Sequence, residues 1–189
     1  MRPLVICLVV ALAACGDAAA TSTTAAPLDP STTAIDFDPA DLVAYESPTY
    51  GFAIAYPSDW DVAEVTAENL IGFTSPVGTS NLTPNFNITV TEVSPDLPPV
   101  AYYQGEIERV TTSLENAEII EVADVNVDGV VGRGLTLITH QSGVDIGISR
   151  IIVINSTRAY ELSFFAEAAE LQRLAPLVAS IFQSLRFLD

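Results

Sequence analysis

The fold is decided by residues 119–164, which read IIEVADVNVDGVVGRGLTLITHQSGVDIGISRIIVINSTRAYELSF. Four apolar segments alternate in this stretch with short turns. The strongest turn signal is Asp128-Gly129, because both central residues of a type I′ turn need a positive φ. Gln141-Ser142-Gly143 and Asn155-Ser156-Thr157 end the next two segments. The pattern predicts consecutive strands joined as hairpins, and therefore an antiparallel sheet.

Shorter strands precede this region. Apolar residues alternate with small ones over residues 52–56 and stop at the turn Pro57-Ser58-Asp59. Residues 60–62 and 70–73 predict two more short strands. A longer strand follows, with Phe86, Ile88 and Val90 on one face and Asn87, Thr89 and Thr91 on the other.

Two helices are predicted from apolar stripes with spacings of three and four residues. The middle helix carries Val100, Tyr103, Ile107, Val110 and Leu114 on its stripe. Glu106, Glu108 and Arg109 lie off that stripe, so we expect them to face water. A final helix over residues 168–184 contains Pro176, which should kink or split it. Helices packed on an antiparallel sheet give the α+β class.

The first residues predict export. Met1-Arg2 is a short positive start, and the apolar run from Leu4 to Ala14 is too short to span a bilayer, which needs about 20 residues. Leu12-Ala13-Ala14-Cys15 resembles the lipobox of bacterial lipoproteins, in which the cysteine is acylated and the chain is cut before it. We therefore predict a signal peptide over residues 1–14 and a lipid on Cys15, which is the membrane anchor. A plain secretory signal with an incidental cysteine is the alternative.

The rest of the chain divides into a linker and a domain. Residues 15–43 are rich in Ala, Thr, Ser, Asp and Pro, which predicts a disordered tether. Residues 44–189 have the length of one domain. Apart from Cys15 the only cysteine is Cys7, within the predicted signal, so we expect neither a disulfide nor a cysteine nucleophile in the domain.

The charge limits the partners. Seven basic residues, all arginine, stand against 24 acidic ones, which gives a net charge of −17. Nucleic acids are poor partners for such a chain, because binding them relies on a basic patch. Export and the anchor together place the domain at the cell membrane, on its extracytoplasmic face. Solubility is the simplest reading of the dispersed acidic residues.

Candidate contact residues are few. Tyr102 lies off the stripe of the middle helix, which makes it a candidate for a ligand or partner contact. Trp60 and Tyr103 fit core packing or an apolar groove. Arg133 and Arg150 interrupt apolar strands, where each either pairs with a carboxylate or faces a groove and holds an anion.

No catalytic, metal or cofactor site is predicted. Residues 124–129 match the first half of a calcium loop, but Leu135 stands where the loop needs a bidentate carboxylate. His140, Ser142 and Asp145 are the residue types of a hydrolytic triad, yet they crowd one hairpin tip and lack a nucleophile elbow. We therefore expect a protein without a cofactor.

Both ends of the domain resemble PsbP-like domains. The resemblance rests on packing residues, namely Tyr50-Gly51-Phe52, Ile54, Tyr56-Pro57, Trp60, Tyr160, Leu162, Phe164, Ile181-Phe182 and Ser184-Leu185-Arg186-Phe187. It implies an α/β/α sandwich around an antiparallel sheet, and the chain is similar to LpqN-type lipoproteins as well. Members are mostly non-enzymatic binding or assembly proteins, and none of the matched residues is a catalytic residue of the family.

Three functional hypotheses follow. The first is a non-catalytic binding or assembly module for an envelope protein, which an apolar surface patch with a polar rim would support. The second is a carrier or sensor of a small apolar ligand such as a lipid, which an enclosed pocket would favour. The third is a hydrolase, which requires carboxylates converging in a cleft with perturbed pKa values.

Overall fold

The computed structural model describes residues 41–65, 68–76, 82–114 and 116–188. The predicted signal peptide, Cys15 and nearly all of the predicted linker lie outside these residues. The described elements are β1 (Leu42–Ser47), β2 (Phe52–Pro57), β3 (Asp61–Val65), β4 (Leu70–Thr74), β5 (Asn85–Glu92), α1 (Pro99–Ser113), β6 (Glu118–Val127), β7 (Val130–Gln141), β8 (Val144–Asn155), β9 (Arg158–Glu167), α2 (Ala168–Gln183) and β10 (Arg186–Phe187).

The main sheet has seven strands in the order β3-β4-β5-β9-β8-β7-β6, and each neighbouring pair is antiparallel. Residues 119–164 supply most of the four consecutive strands at one side of it. Asp128 and Gly129 have φ angles of 51° and 83°, as a type I′ turn requires. The antiparallel sheet with its helices confirms the predicted α+β class.

A second, three-stranded sheet was not predicted. It has the order β1-β2-β10, so the start and the end of the domain both pair with β2. Its first strand begins at Leu42, whereas the sequence assigned residues up to 43 to the linker. β1 has only six residues, in which Leu42, Val43 and Tyr45 stand among acidic or small neighbours. This pattern is too weak to stand out beside the adjacent Thr- and Pro-rich segment.

Helices pack on both faces of the main sheet. The larger core lies between the sheet, α2 and the small sheet, and aromatic rings dominate it. Phe73 and Phe86 stack with centroids 4.2 Å apart, and Trp60 lies 5.9 Å from Phe86 and 6.0 Å from Phe164. Trp60 is thus a core residue. On the other face, α1 packs over a smaller cluster of Val110, Leu135, Leu137 and Ile148.

Helix α2 runs through Pro176 as one element, so the predicted split does not occur. A proline removes the hydrogen bond to the carbonyl four residues earlier, which here belongs to Gln172. Gln172 and Pro176 are both exposed, so water can satisfy that carbonyl. The buried side of the helix keeps its stripe of Leu171, Leu174, Leu177, Val178, Ile181 and Phe182.

Candidate functional site

Two depressions flank the main sheet, one beside each helix. The α1 cleft has a volume of about 470 Å³ and is lined by Leu70, Asn87, Thr89, Thr91, Tyr102, Glu106, Arg109, Arg150, Glu161, Ser163 and Phe165. The α2 groove has a volume of about 430 Å³ and lies between α2 and strands β6 to β8. The cleft is mainly polar and the groove mainly apolar.

The α1 cleft exists because α1 covers only part of its face of the sheet. Tyr103 fixes the helix over β7 and β8, since its hydroxyl donates to the Val131 carbonyl at 3.2 Å and accepts from the Ile154 amide at 3.3 Å. The alternation of β5 places Asn87, Thr89 and Thr91 on this face, away from the core. These polar residues and the exposed flank of α1 form the two sides of the cleft.

Four charged groups meet at the floor of the α1 cleft. The Tyr102 hydroxyl donates to Oε1 of Glu161 at 2.8 Å. Nη1 of Arg150 and Nη2 of Arg109 each lie 3.4 Å from Oε2 of the same carboxylate. Nη2 of Arg109 also contacts Oε2 of Glu106, so one guanidinium bridges two carboxylates. Two arginines and two glutamates give the cleft no net charge.

Burial controls the protonation of this cluster. Removal from water raises the pKa of Glu161, and the nearby Glu106 charge raises it further, while Tyr102 and the two arginines oppose the change. Burial likewise lowers the pKa of the Arg150 guanidinium. The pKa of the Tyr102 phenol is raised by burial and then by the Glu161 carboxylate. Each carboxylate is already held by a guanidinium, which is the arrangement of an ion-pair network that ties α1 to the sheet.

The structure brings together two of the three predicted contact residues. Tyr102 and Arg150 both contact Glu161 in the α1 cleft. Arg133 lies elsewhere, where Nη1 pairs with Oδ1 of Asp124 at 2.8 Å and the Asp124 side chain is 71% exposed. For Arg133 the structure therefore favours carboxylate pairing over anion binding.

Two cleft residues were missed from the sequence. Glu106 was expected to face water, but its side chain is only 16% exposed because it turns toward Arg109 and the cleft. Glu161 was not singled out at all. Its signal was available, because it is a charged residue between the core residues Tyr160 and Leu162 of an apolar strand.

The α2 groove is built from small residues under an apolar wall. Ala123, Gly134 and Ser149 lie on the floor, with Val178 and Phe182 on the helix side. Glycine is required beneath α2, since a Cβ on Gly147 would lie 2.8 Å from Cδ2 of Leu171. Polar residues such as Glu121 and Gln172 stand at the margin. The result is an open apolar surface with a polar rim.

Strand β6 borders the groove and leaves apolar side chains in solvent. Ile119, Ile120 and Val122 are 43%, 54% and 43% exposed. A register shift between Ile119 and Glu121 interrupts the pairing of β6 with β7. Within the described residues β6 pairs with β7 alone, so its other side is an open sheet edge, here called the β6 edge.

The other candidate sites from the sequence form hairpin turns. In the calcium-like segment, the side chain of Asn126 accepts from the Gly129 amide at 3.1 Å. Oδ2 of Asp128 accepts from the Phe187 amide at 3.0 Å, so it ties the turn to β10. Nδ1 of His140 and Oδ1 of Asp145 lie 2.8 Å apart on adjacent strands at an exposed hairpin tip. In the ranges that the structure describes, no three His, Cys, Asp or Glu side chains are grouped as metal ligands would be.

A search of the described helices for membrane spans finds none with the length and apolar character needed.

Solved structures with the same fold come from distant organisms. LpqN of Mycobacterium tuberculosis, described as involved in cell envelope biogenesis, has a TM-score of 0.62 at 16% identity, over 78% of this chain and 92% of LpqN. Cyanobacterial PsbP from Synechocystis sp. PCC 6803 has a TM-score of 0.60 at 14% identity, over 84% of this chain and 99% of that one. The Saccharomyces cerevisiae Ran-binding protein Mog1p has a TM-score of 0.59 at 10% identity, over 78% of this chain and 96% of Mog1p.

At these identities the likeness establishes the fold. No curated protein sequence matches the chain. The model of one protein family, described as PsbP-like protein, matches residues 4–187 and so covers nearly the whole sequence. Together with the sandwich of helices around an antiparallel sheet, this match shows that the chain belongs to the PsbP-like family.

Proposed function

We propose that this chain is a lipoprotein, cut before Cys15 and held by lipid at the extracytoplasmic face of the cell membrane, whose domain is a non-catalytic binding or assembly module. The sequence around Cys15 supports the anchor, since a cysteine directly after small residues is what lipid attachment and cleavage require. LpqN, with the same fold, is described as involved in cell envelope biogenesis, which agrees with this location.

The observation that carries the binding role is the α2 groove together with the adjoining β6 edge. An open apolar surface with polar margins is costly to leave in water unless a partner covers it. The proposed occupant is a segment of another envelope protein, because the groove continues into β6, whose outer side has no partner strand among the described residues and offers main-chain hydrogen bonds. The carboxylates of the α1 cleft, in contrast, are already engaged by arginines.

The anchor is tested by the mass of the intact protein purified from its native membrane. We expect the mass of residues 15–189 plus a diacylglyceryl group and, in organisms that add it, a further acyl chain. Cys15→Ser should release the protein from the membrane fraction or block its processing. An unmodified Cys15 in the membrane-purified protein would refute the anchor.

The binding role is tested with a photocrosslinking amino acid at Ala179, which lines the groove. We expect one defined adduct with an envelope protein, lost when Ala175→Trp fills the groove and retained when Ala169→Trp adds the same bulk outside it. Ala169, Ala175 and Ala179 are all exposed, so both tryptophan variants should fold. The identified partner must then bind the purified chain, and Ala175→Trp must weaken that binding while Ala169→Trp does not. An adduct insensitive to Ala175→Trp would contradict the proposal.

A second candidate function is a carrier of a small apolar ligand such as a lipid. Its support is the groove volume of about 430 Å³, within the range of small-molecule pockets, together with the apolar wall, although the groove is open rather than enclosed. Native mass spectrometry of the gently purified chain would then show a co-purifying lipid that Ala175→Trp removes. If the protein carries no bound lipid, the carrier function is refuted and partner binding is the remaining proposal.

A further inference from the structure

The outward side of β6 has a regular set of free main-chain groups. In a two-residue hairpin the residues that flank the turn form a hydrogen-bonded pair, here Val127 and Val130. Because bonded and non-bonded pairs alternate in antiparallel strands, the N–H and C=O groups of Val122, Asp124 and Asn126 point away from β7. No strand in the described part of the chain takes them up.

β6 is longer and more exposed than is usual for a strand at a sheet edge. β6 has 10 residues, whereas strands of five or six are typical. Exposed edges are normally short or covered, since they template pairing with other chains. Here Ile119 and Val122, on the α1 side of the sheet, stay in solvent. These features fit an edge that is covered by a partner strand.

The charge of the β6 edge selects the kind of strand. Glu118 and Glu121 pair with Ile138 and Thr136 of β7, so both lie on the groove side of the sheet. Neither carboxylate forms an ion pair within the residues described, and β6 contains no basic residue. A second copy of this chain paired through β6 would bring like charges together, which is destabilising. A strand with basic side chains on that side gains attraction instead.

We propose that the β6 edge binds an extended segment of a partner protein, with basic side chains toward Glu118 and Glu121 and apolar side chains toward Ile119 and Val122. This inference rests on the proposed binding function and names the partner's chemistry. Main-chain hydrogen bonds to Val122, Asp124 and Asn126 supply the docking, and the alternation of side chains supplies the selectivity.

The experiment uses residues 15–189 with Cys15→Ser and a synthetic peptide in which lysine alternates with valine. Amide hydrogen exchange by NMR should slow at Val122, Asp124 and Asn126 on binding, while the amides already bonded to β7 change little. A peptide with glutamate in place of lysine should not protect them. Glu121→Lys should weaken binding about tenfold, as expected for reversing one partner charge at a rim. Glu108→Lys on exposed α1 makes the same charge change away from the edge and should leave binding within about twofold.

The possible outcomes separate the two proposals. Peptide binding without protection at β6, or weakened equally by both lysine variants, would show mere attraction to an acidic protein and overturn the inference. A dimer of the chain that protects the same amides would overturn it in favour of a second copy. If the groove crosslink is found but no peptide protects the β6 amides, the binding module stands and the β6 inference fails. If the peptide protects the β6 amides but no groove adduct forms, the β6 inference stands and the α2 groove is not the partner site.

Discussion

Replacing Arg150 with methionine tests whether the α1 cleft is an ion-pair network that holds the helix on the sheet. The side chains of Arg150 and Glu161 are only 14% and 10% exposed. Removing one member of a fully buried pair costs about 3–5 kcal/mol, because the remaining charge stays desolvated without its partner. Arg109 and Tyr102 still contact Glu161, so we expect a loss of about 2 kcal/mol in the free energy of unfolding at pH 7.

In urea denaturation this loss has a measurable size. With a slope of about 2 kcal/mol per molar urea, the midpoint of Arg150→Met should fall by about 1 M. Arg133→Met is the matched control, since Arg133 pairs with the exposed Asp124. An exposed pair contributes about 0–1 kcal/mol, so the control should move the midpoint by less than about 0.5 M.

The loss in Arg150→Met should also depend on pH. Burial already raises the pKa of Glu161 in the folded protein, and removing the Arg150 charge raises that pKa further. A carboxyl group with a raised folded pKa favours folding fully below its unfolded pKa, about 4.3, and this contribution is lost as pH rises through the folded pKa. The groups that face Glu161 are Tyr102, Glu106 and Arg109 from α1, with Arg150 from β8. The difference from the parent protein should therefore shrink between pH 7 and pH 4.5.

The double variant Arg150→Met/Glu161→Gln completes this test. Glutamine is neutral and its carbonyl can still accept from Tyr102, so the double variant should be more stable at pH 7 than Arg150→Met alone. Equal losses for Arg150→Met and Arg133→Met, or a loss from Arg150→Met that does not change with pH, would refute the network.

Three further changes test the fold. Phe86→Ala removes a fully buried ring stacked on Phe73. It should lower the free energy of unfolding, measured by urea denaturation, by about 4 kcal/mol. Gly147→Ala places a Cβ 2.8 Å from Leu171 and should cost about 1–3 kcal/mol, with NMR shift changes concentrated along α2. Gly129→Ala forces alanine to a φ of 83° at an open turn, where the added Cβ contacts nothing. Thermal unfolding should therefore show a loss of about 1 kcal/mol in the free energy of unfolding, caused by backbone strain alone.

The strands could be predicted because their signals are local. In β5, Phe86 and Asn87 fall on opposite faces of the sheet, as the two-residue period requires. Asp128-Gly129 likewise carries its turn type in its own chemistry. The two-residue strand β10 could not be found this way, since it is too short to show a period and pairs with Phe52 and Ala53 far back in the chain.

The α1 cleft lay beyond local signals for a related reason. The pattern of β9 places Glu161 on the face opposite Tyr160 and Leu162, but not beneath a helix. Its partner Tyr102 is 59 residues away in sequence, and their contact depends on where α1 crosses the sheet. Sequence reasoning could select Tyr102 and Arg150 as unusual residues, yet only the crossing of α1 shows that they share one carboxylate.

The position of β1 gives the domain a direction. The chain enters the described fold at β1, where the ring of Tyr45 meets Phe73 of β4 at 5.4 Å. β4 and β6 are five strand spacings apart in the sheet, which is about 24 Å at about 4.8 Å per spacing. The chain therefore enters the described fold at the β4 flank of the main sheet, while the β6 edge lies at the opposite flank. An attachment at the amino end and a strand bound at the β6 edge would therefore lie at opposite flanks of the main sheet, where neither obstructs the other.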